Sequence, residues 1–270
     1  MTVWICAACA VEHADTEHPP VVCAICADER QFVPPSGQAW TTLERLRAEG
    51  TAVELQQLEP RLFGLRSAPA VGIGQQAMLV QTDAGSLLWD PIGFVDEAAA
   101  QLVGDVVAIA ASHPHMFGAQ VEWSRALGGV PVLVNAADRE WVQRDDPAIE
   151  SWSGDVEVLP GVTLRTIGGH FPGSAVAHWA GADGRGVVLA GDTFFPGPSE
   201  RWVTFMRSFP NGIPMSAAVV QRVAERVAER EFDRAYGNFG NAIRTDARAA
   251  VIRSAERYAS WVRGDHDDET

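Results

Sequence analysis

The stretch AIAASHPHMFG, residues 108–118, decides how this chain is read. It begins inside VVAIAA (106–111), a continuous apolar run of the length of a buried strand. His113 and His115 follow directly, one residue apart, and then come Phe117 and Gly118. Two imidazoles at i and i+2 on a loop reach a common point while the strand before them fixes their backbone. Imidazole suits a borderline cation such as zinc. The alternative is a pair of polar residues that only mark a strand end.

Two further strand candidates end on the same kind of residue. VTLRTIGG (162–169) leads to His170, and GVVLAG (186–191) leads to Asp192. His113, His115, His170 and Asp192 together form a candidate metal set. A satisfied structural histidine and a turn or cap aspartate are the competing readings of His170 and Asp192. His178 lies within the apolar strand SAVAHWA and reads as a core or surface histidine rather than a ligand.

All four cysteines fall in the first 26 residues, as Cys6, Cys9, Cys23 and Cys26, in a C-x2-C-x13-C-x2-C pattern. Two such pairs predict a tetrahedral zinc cage, closed and therefore structural. Two disulfides are the alternative, disfavoured without an export signal. Iron, as in rubredoxin, is another, but Ala10 and Ala27 stand where rubredoxin knuckles carry glycine. His13 and His18 in the intervening loop read as surface histidines. Residues 1–36 are expected to be a cysteine module ending in the turn VPPSG, and residues 37–270 the main domain. Such a module is also a candidate protein-contact surface.

Composition narrows the partners. The net charge of −14, with no basic run, argues against a nucleic-acid surface. No apolar run reaches the ~18 residues of a membrane helix, and the N-terminus lacks a signal peptide's basic and apolar regions. The expectation is a soluble, cytoplasmic protein acting on a small molecule, with no membrane partner and an open oligomeric state. All 21 basic residues are arginine, which excludes lysine Schiff-base chemistry and a Gly-Lys-Ser/Thr phosphate loop. GIGQQA, from Gly72, formally fits a dinucleotide loop, but no strand precedes it and no helix pattern follows.

Further along, AWTTLERLRAE, VDEAAAQLV, GAQVEWSRAL and ADREWVQR read as helices. AVELQQLEP, QQAMLVQT, SLLWD and VPVLVNA read as strands. After DDPAIESWSGD come the short strands VEVLPG, VTLRTIGG, SAVAHWA and RGVVLAGD, and two amphipathic helices close the chain. Two β-rich halves covered by helices, an α+β class, fit this order better than a doubly wound sheet.

Residues 70–240 resemble the metallo-β-lactamase superfamily. SHPHMFG matches the first two histidines of its His-x-His-x-Asp-His signature. GGHFPGSAVAHW resembles its Gly-His-x-Pro-Gly-Ser segment, VVLAGDTFF its Gly-Asp-x-x-Phe segment, and AMLVQTDAGSLLWDPIG its opening hairpin. The resemblance implies a four-layer αββα sandwich. It also implies departures: the signature aspartate falls at Phe117, the next histidine at Gly118 and the last histidine at Asn238. These are ligands of the family's second metal, of which Asp192 alone remains.

The implied function is a mononuclear hydrolase. Zinc, or another divalent transition metal, on His113, His115 and His170 would activate water against an ester, thioester, lactone, amide or phosphoester. Asp192 would be fourth ligand or hydrogen-bond acceptor, and the catalytic carboxylate. Residues 195–212, with aromatics, Arg201 and Arg207, are the expected substrate loop. The alternative is a non-catalytic metal-binding scaffold or interaction protein that kept the fold. Electron transfer through a di-iron site is a third class, which Phe117 and Gly118 disfavour.

Overall fold

The computed structural model describes residues 2–270. Along its central strands the apolar side chains alternate between two cores, as the period-2 geometry of a pleated strand requires. The strand Ala77–Thr82 sends Met78 and Val80 to one side and Leu79 to the other. The strand Val187–Leu189 does the same with Val187 and Leu189 against Val188. Two sheets with both faces apolar must bury both, so each takes a partner sheet inside and helices outside.

In chain order the N-terminal elements are β1 (Thr2–Cys6), β2 (Glu12–Thr16), α1 (Ala24–Ala27), β3 (Trp40–Thr41) and α2 (Leu43–Ala48). The first large sheet uses β4 (Ala52–Glu59), β5 (Leu62–Ala68), β6 (Ala77–Thr82) and β7 (Gly85–Trp89). After α3 (Glu97–Val103) it adds β8 (Val106–Ala110), and after α4 (Gln120–Ala126) it adds β9 (Val132–Asn135) and β10 (Ile149–Trp152). Its spatial order is β10-β9-β8-β7-β6-β5-β4, antiparallel through β4 to β7 and parallel from β7 to β10.

The second sheet takes β11 (Asp155–Leu159), β12 (Val162–Thr166), β13 (Ala175–Trp179) and β14 (Val187–Leu189). Beyond the short strands β15 (Phe195–Pro196), β16 (Val203–Thr204), β17 (Met206–Ser208) and β18 (Ile213–Pro214) comes α5 (Ala217–Ala228). Then β19 (Arg234–Tyr236) and β20 (Ala242–Ile243) finish the sheet, and α6 (Ala247–Val262) follows. The order is β11-β12-β13-β14-β19-β20. Leu62, Trp89 and Ala108 face Leu164, Trp179 and Leu189 between the sheets. The α5 and α6 helices cover one outer face through Val220, Val223 and Val251. The α3 and α4 helices, together with the cysteine segment, cover the other. This is the four-layer αββα sandwich of an α+β fold.

Caps set the helix starts. The Thr42 side chain accepts from Arg45 N at 3.2 Å, and Asp96 accepts from Ala99 N at 2.8 Å, each worth ~1 kcal/mol. Three local expectations need correction. Residues 149–152, inside DDPAIESWSGD where the pattern assigns no element, form an edge strand parallel to β9. Leu62–Ala68, to which the pattern also assigns no element, is a full strand. Ala136–Trp141 is a 3-10 helix, not an α-helix.

The cysteine segment lies on the body of the protein. Ala10 packs so closely that a β-carbon on Gly72 or on Gly93 would come within 2.5 Å of it. The Glu12 carboxylate accepts from the N-terminal amides of α4, at Val121 and Glu122, and pairs with Arg144 at 2.8 Å. Anionic side chains are favoured at a helix N-terminus. Among the described residues no helix is long and apolar enough to cross a membrane.

Candidate metal centres

His113 and His115 lie just beyond the C-terminal end of β8, in a short 3-10 turn started by Pro114. Asp192 follows the end of β14, and His170 sits in the irregular turn between β12 and β13. The two sheets therefore bring all four predicted residues to one edge of the sandwich. Each offers a ligand atom, and these atoms lie within 4.8 Å of one another. His170 Nε2 is 3.3 Å from His115 Nδ1. Asp192 Oδ2 is 3.5 Å from His113 Nε2 and 3.8 Å from His170 Nε2. Tetrahedral N/O ligands at ~2.0–2.1 Å from an ion are about 3.3 Å apart, so the set matches a divalent metal.

Hydrogen bonds behind the rings fix which nitrogens face the centre. Met206 offers His170 Nδ1 only a carbonyl oxygen, at 3.0 Å, so Nδ1 donates and Nε2 keeps its lone pair. The Ser112 hydroxyl donates to Asp90 Oδ2 at 3.0 Å and thus accepts from His113 Nδ1 at 2.9 Å. His113 Nε2 is buried without a hydrogen-bonding partner. Such backing partners orient metal-binding imidazoles. Burial, reinforced by His113, lowers the His170 pKa to about 4 and drives His115 well below the ordinary imidazole range. Both rings are neutral at pH 7, as ligands must be. Burial pushes the Asp192 carboxyl up, but the His113 and His170 rings, 3.5 and 3.8 Å from its Oδ2, outweigh that and hold Asp192 below the ordinary carboxyl range.

The positions of the family's second metal are occupied otherwise. Phe117 is 2% exposed and packs in the outer core beside Met116 and Ala119. Gly118 has φ +51°, and a side chain there meets the Pro91 carbonyl. Asn238 donates Nδ2 to Asp90 Oδ2 at 2.9 Å and to Gln76 O at 3.0 Å. His178 is remote, hydrogen-bonded to Glu231 O at 2.9 Å.

Cys6, Cys9, Cys23 and Cys26 converge as the second cluster. Sγ–Sγ separations are 3.6 Å for Cys6–Cys26 and 3.7 Å for Cys9–Cys23. Four sulfurs at ~2.3 Å from one ion are about 3.8 Å apart. Gln38 Nε2 donates to Cys6 Sγ at 3.2 Å while its Oε1 accepts from Cys23 N at 3.0 Å. His13 is not a surface residue: it is 3% exposed, edge-on to Trp40 at 4.6 Å.

Phe171 packs against all three histidine rings at 5.0–5.8 Å, and a row of three further phenylalanines leads outward from His170. Phe209 lies 6.1 Å from the His170 ring, Phe195 lies 5.1 Å from Phe209, and Phe239, 40% exposed, lies 6.1 Å from Phe195. Within the expected substrate loop Arg207 is not free, because it pairs with Glu29 at 2.6 Å, while Arg201 is exposed. Phe239 and the Met206 carbonyl escaped the sequence reading; nothing local marks either.

A family model for the metallo-beta-lactamase superfamily matches residues 71–237. The chain is 40% identical over 264 residues to the uncharacterized protein YmaE of Bacillus subtilis (strain 168), covering 96% of each. Its fold resembles the mono-zinc form of the metallo-beta-lactamase FIM-1 from Pseudomonas aeruginosa, with TM-score 0.54 and 16% identity over 77% of this chain and 96% of that one. It also resembles VMB-1, with TM-score 0.58 and 12% identity over 77% and 97%.

Proposed function

The chain belongs to the metallo-beta-lactamase superfamily, and on that premise we propose that it is a hydrolase with a single zinc at its histidine centre. The substrate is a small, apolar ester, thioester, lactone or amide. The observation that carries the proposal is the pairing of a complete first ligand set with a plugged second one. His113, His115, His170 and Asp192 converge, while Phe117, Gly118 and Asn238 are committed to packing and backbone bonds. A divalent cation held by these residues would supply Lewis acidity, lowering the pKa of water towards ~7 and polarising a carbonyl.

The chain's own groups do the rest. Asp90, through Ser112, and the Met206 carbonyl lock the His113 and His170 rings with Nε2 inward. Asp192 has the most solvent-accessible side chain of the four, at 11% against 1% for His113 and His170. Its ionised carboxylate accepts the hydrogen bond of the attacking water and aims it. Phe195, Phe209 and Phe239 exclude water around an apolar substrate. The acidic chain disfavours polyanions. The cysteine cage holds a second, structural zinc.

A second reading has its own support: the three histidines are only 1–2% exposed, as in a closed metal-holding scaffold. Elemental analysis of wild type and of His113→Ala/His115→Ala, purified without added metal, is the test. Two zinc per chain falling to one, with turnover on an ester and thioester panel that disappears in the variant, supports the hydrolase. Two falling to one without turnover in either protein supports the scaffold. One zinc in both removes the histidine site from either reading.

A further inference from the structure

The two metal-type clusters are joined by one residue and one strap. Arg30 follows Cys26 by four residues and is only 6% exposed. Asp28 forks one edge of its guanidinium, Nε to Oδ1 at 2.5 Å and Nη2 to Oδ2 at 3.0 Å. The guanidinium carbon lies 3.6 Å over the Phe171 ring, and Nη1 donates to the His170 carbonyl at 3.4 Å. Charge-assisted forks and cation–π stacking are both directional, so Arg30 can hold only one pose while Asp28 stays in place.

The strap is residues 206–211. Its Met206 carbonyl takes the proton side of His170. Its Ser208 hydroxyl donates to Arg30 O at 3.1 Å. Asn211 Nδ2 donates to Glu29 O at 2.8 Å and Gln31 O at 2.9 Å, and Arg207 pairs with Glu29. The cysteine segment thus holds the strap at four points.

The ligands differ in what supports them. His113 and His115 hang from a strand inside a seven-stranded sheet, and His113 is backed by Asp90 through Ser112. His170 lies in a turn where Gly168 and Gly169 have φ +80° and +96°, with no strand pairing of its own. The turn is tied locally by the bonds of Gly168 and Phe171 with Ser174 and anchored at Gly173 N by Asp138 Oδ1 at 2.8 Å; the hydrogen-bonding partners behind His170 itself are Arg30 and Met206.

We propose that the cysteine module positions the third histidine, with Arg30 as the positioning residue, so that metal in the cysteine cage is needed for tight metal binding at the histidine centre. The proposal rests on both clusters being metal sites and not on hydrolysis. The test is competition of cobalt(II) against a chromophoric chelator on the full chain. The cobalt–thiolate charge-transfer bands report the cage, and the weaker d–d bands report the histidine centre. In Arg30→Met the cage bands are expected unchanged while the histidine-centre Kd rises about tenfold, the scale for residues behind metal ligands. Arg30→Lys should recover part of that loss, and Asn211→Ala should shift the Kd in the same direction with the cage intact. Cys23→Ser/Cys26→Ser should weaken the histidine centre at least as much; if that variant does not fold, the Arg30 and Asn211 variants decide. Wild-type Kd values in both Arg30→Met and Asn211→Ala would overturn the proposal. Tight binding without hydrolysis would overturn the enzyme reading and leave this one standing.

Discussion

Gly118 lies against the carbonyl oxygen of Pro91, with φ +51° and no room for a β-carbon. Its own carbonyl accepts from Glu12 N at 2.9 Å, which ties it to the cysteine segment. The backbone at this position therefore excludes a side chain, and placing a histidine here is not a matter of one substitution.

Gly118→His should cost at least about 2 kcal/mol, combining a left-handed conformation for a β-carbon residue with a steric clash. Thermal unfolding should show a lower Tm, and metal content should not rise above that of wild type. A stable variant with one extra metal ion would show that the second site is only vacant of a ligand, not closed.

Asp192→Asn keeps the shape of the carboxylate and removes its charge. Turnover should fall on the order of a hundredfold, with metal at the cysteine cage unaffected. An Asp192→Ala variant with wild-type metal content and wild-type turnover would remove Asp192 from the site's chemistry.

The metal-free protein should lose stability on acidification in a window set by His170. Its folded pKa, about 4, lies below the ordinary 6.5 because the ring is buried. Between these values the unfolded chain binds the extra proton, so stability rises with pH there and is complete above 6.5. At roughly 1.4 kcal/mol per pH unit, His170 contributes about 3 kcal/mol of pH dependence. Urea titrations of metal-free wild type and His170→Gln at pH 4.5 and 7.5 should therefore show the variant gaining on wild type at the lower pH. A difference that does not change with pH would mean that His170 is protonated in the fold.

The phenylalanine border predicts a chain-length preference. Across a series of straight-chain acyl esters, KM should fall by about threefold per methylene, less than full burial at ~0.8 kcal/mol would give. Phe195→Ala/Phe239→Ala should flatten that slope. An unchanged slope would place the acyl chain elsewhere.

Local signals in the sequence were enough to pick out the residues that converge in both clusters. Paired cysteines at fixed spacing, and histidines and an aspartate placed directly after apolar runs, are short-range patterns, because knuckles and strand ends are short-range structures. Short apolar runs such as QQAMLVQT and RGVVLAGD were enough to mark strands of the two sheets. What lay beyond the sequence is what depends on residues far apart in the chain. The edge strand Ile149–Trp152 exists because β9 offers it a parallel partner. The burial of His13 comes from its packing against Trp40, and the engagement of Arg207 from a partner 178 positions earlier. Only the tertiary structure joined the cysteine segment to His170 through Arg30, 140 residues away. Side-chain stacking and a single hydrogen bond across that separation leave no periodic trace in a sequence, whereas a strand or a metal knuckle does.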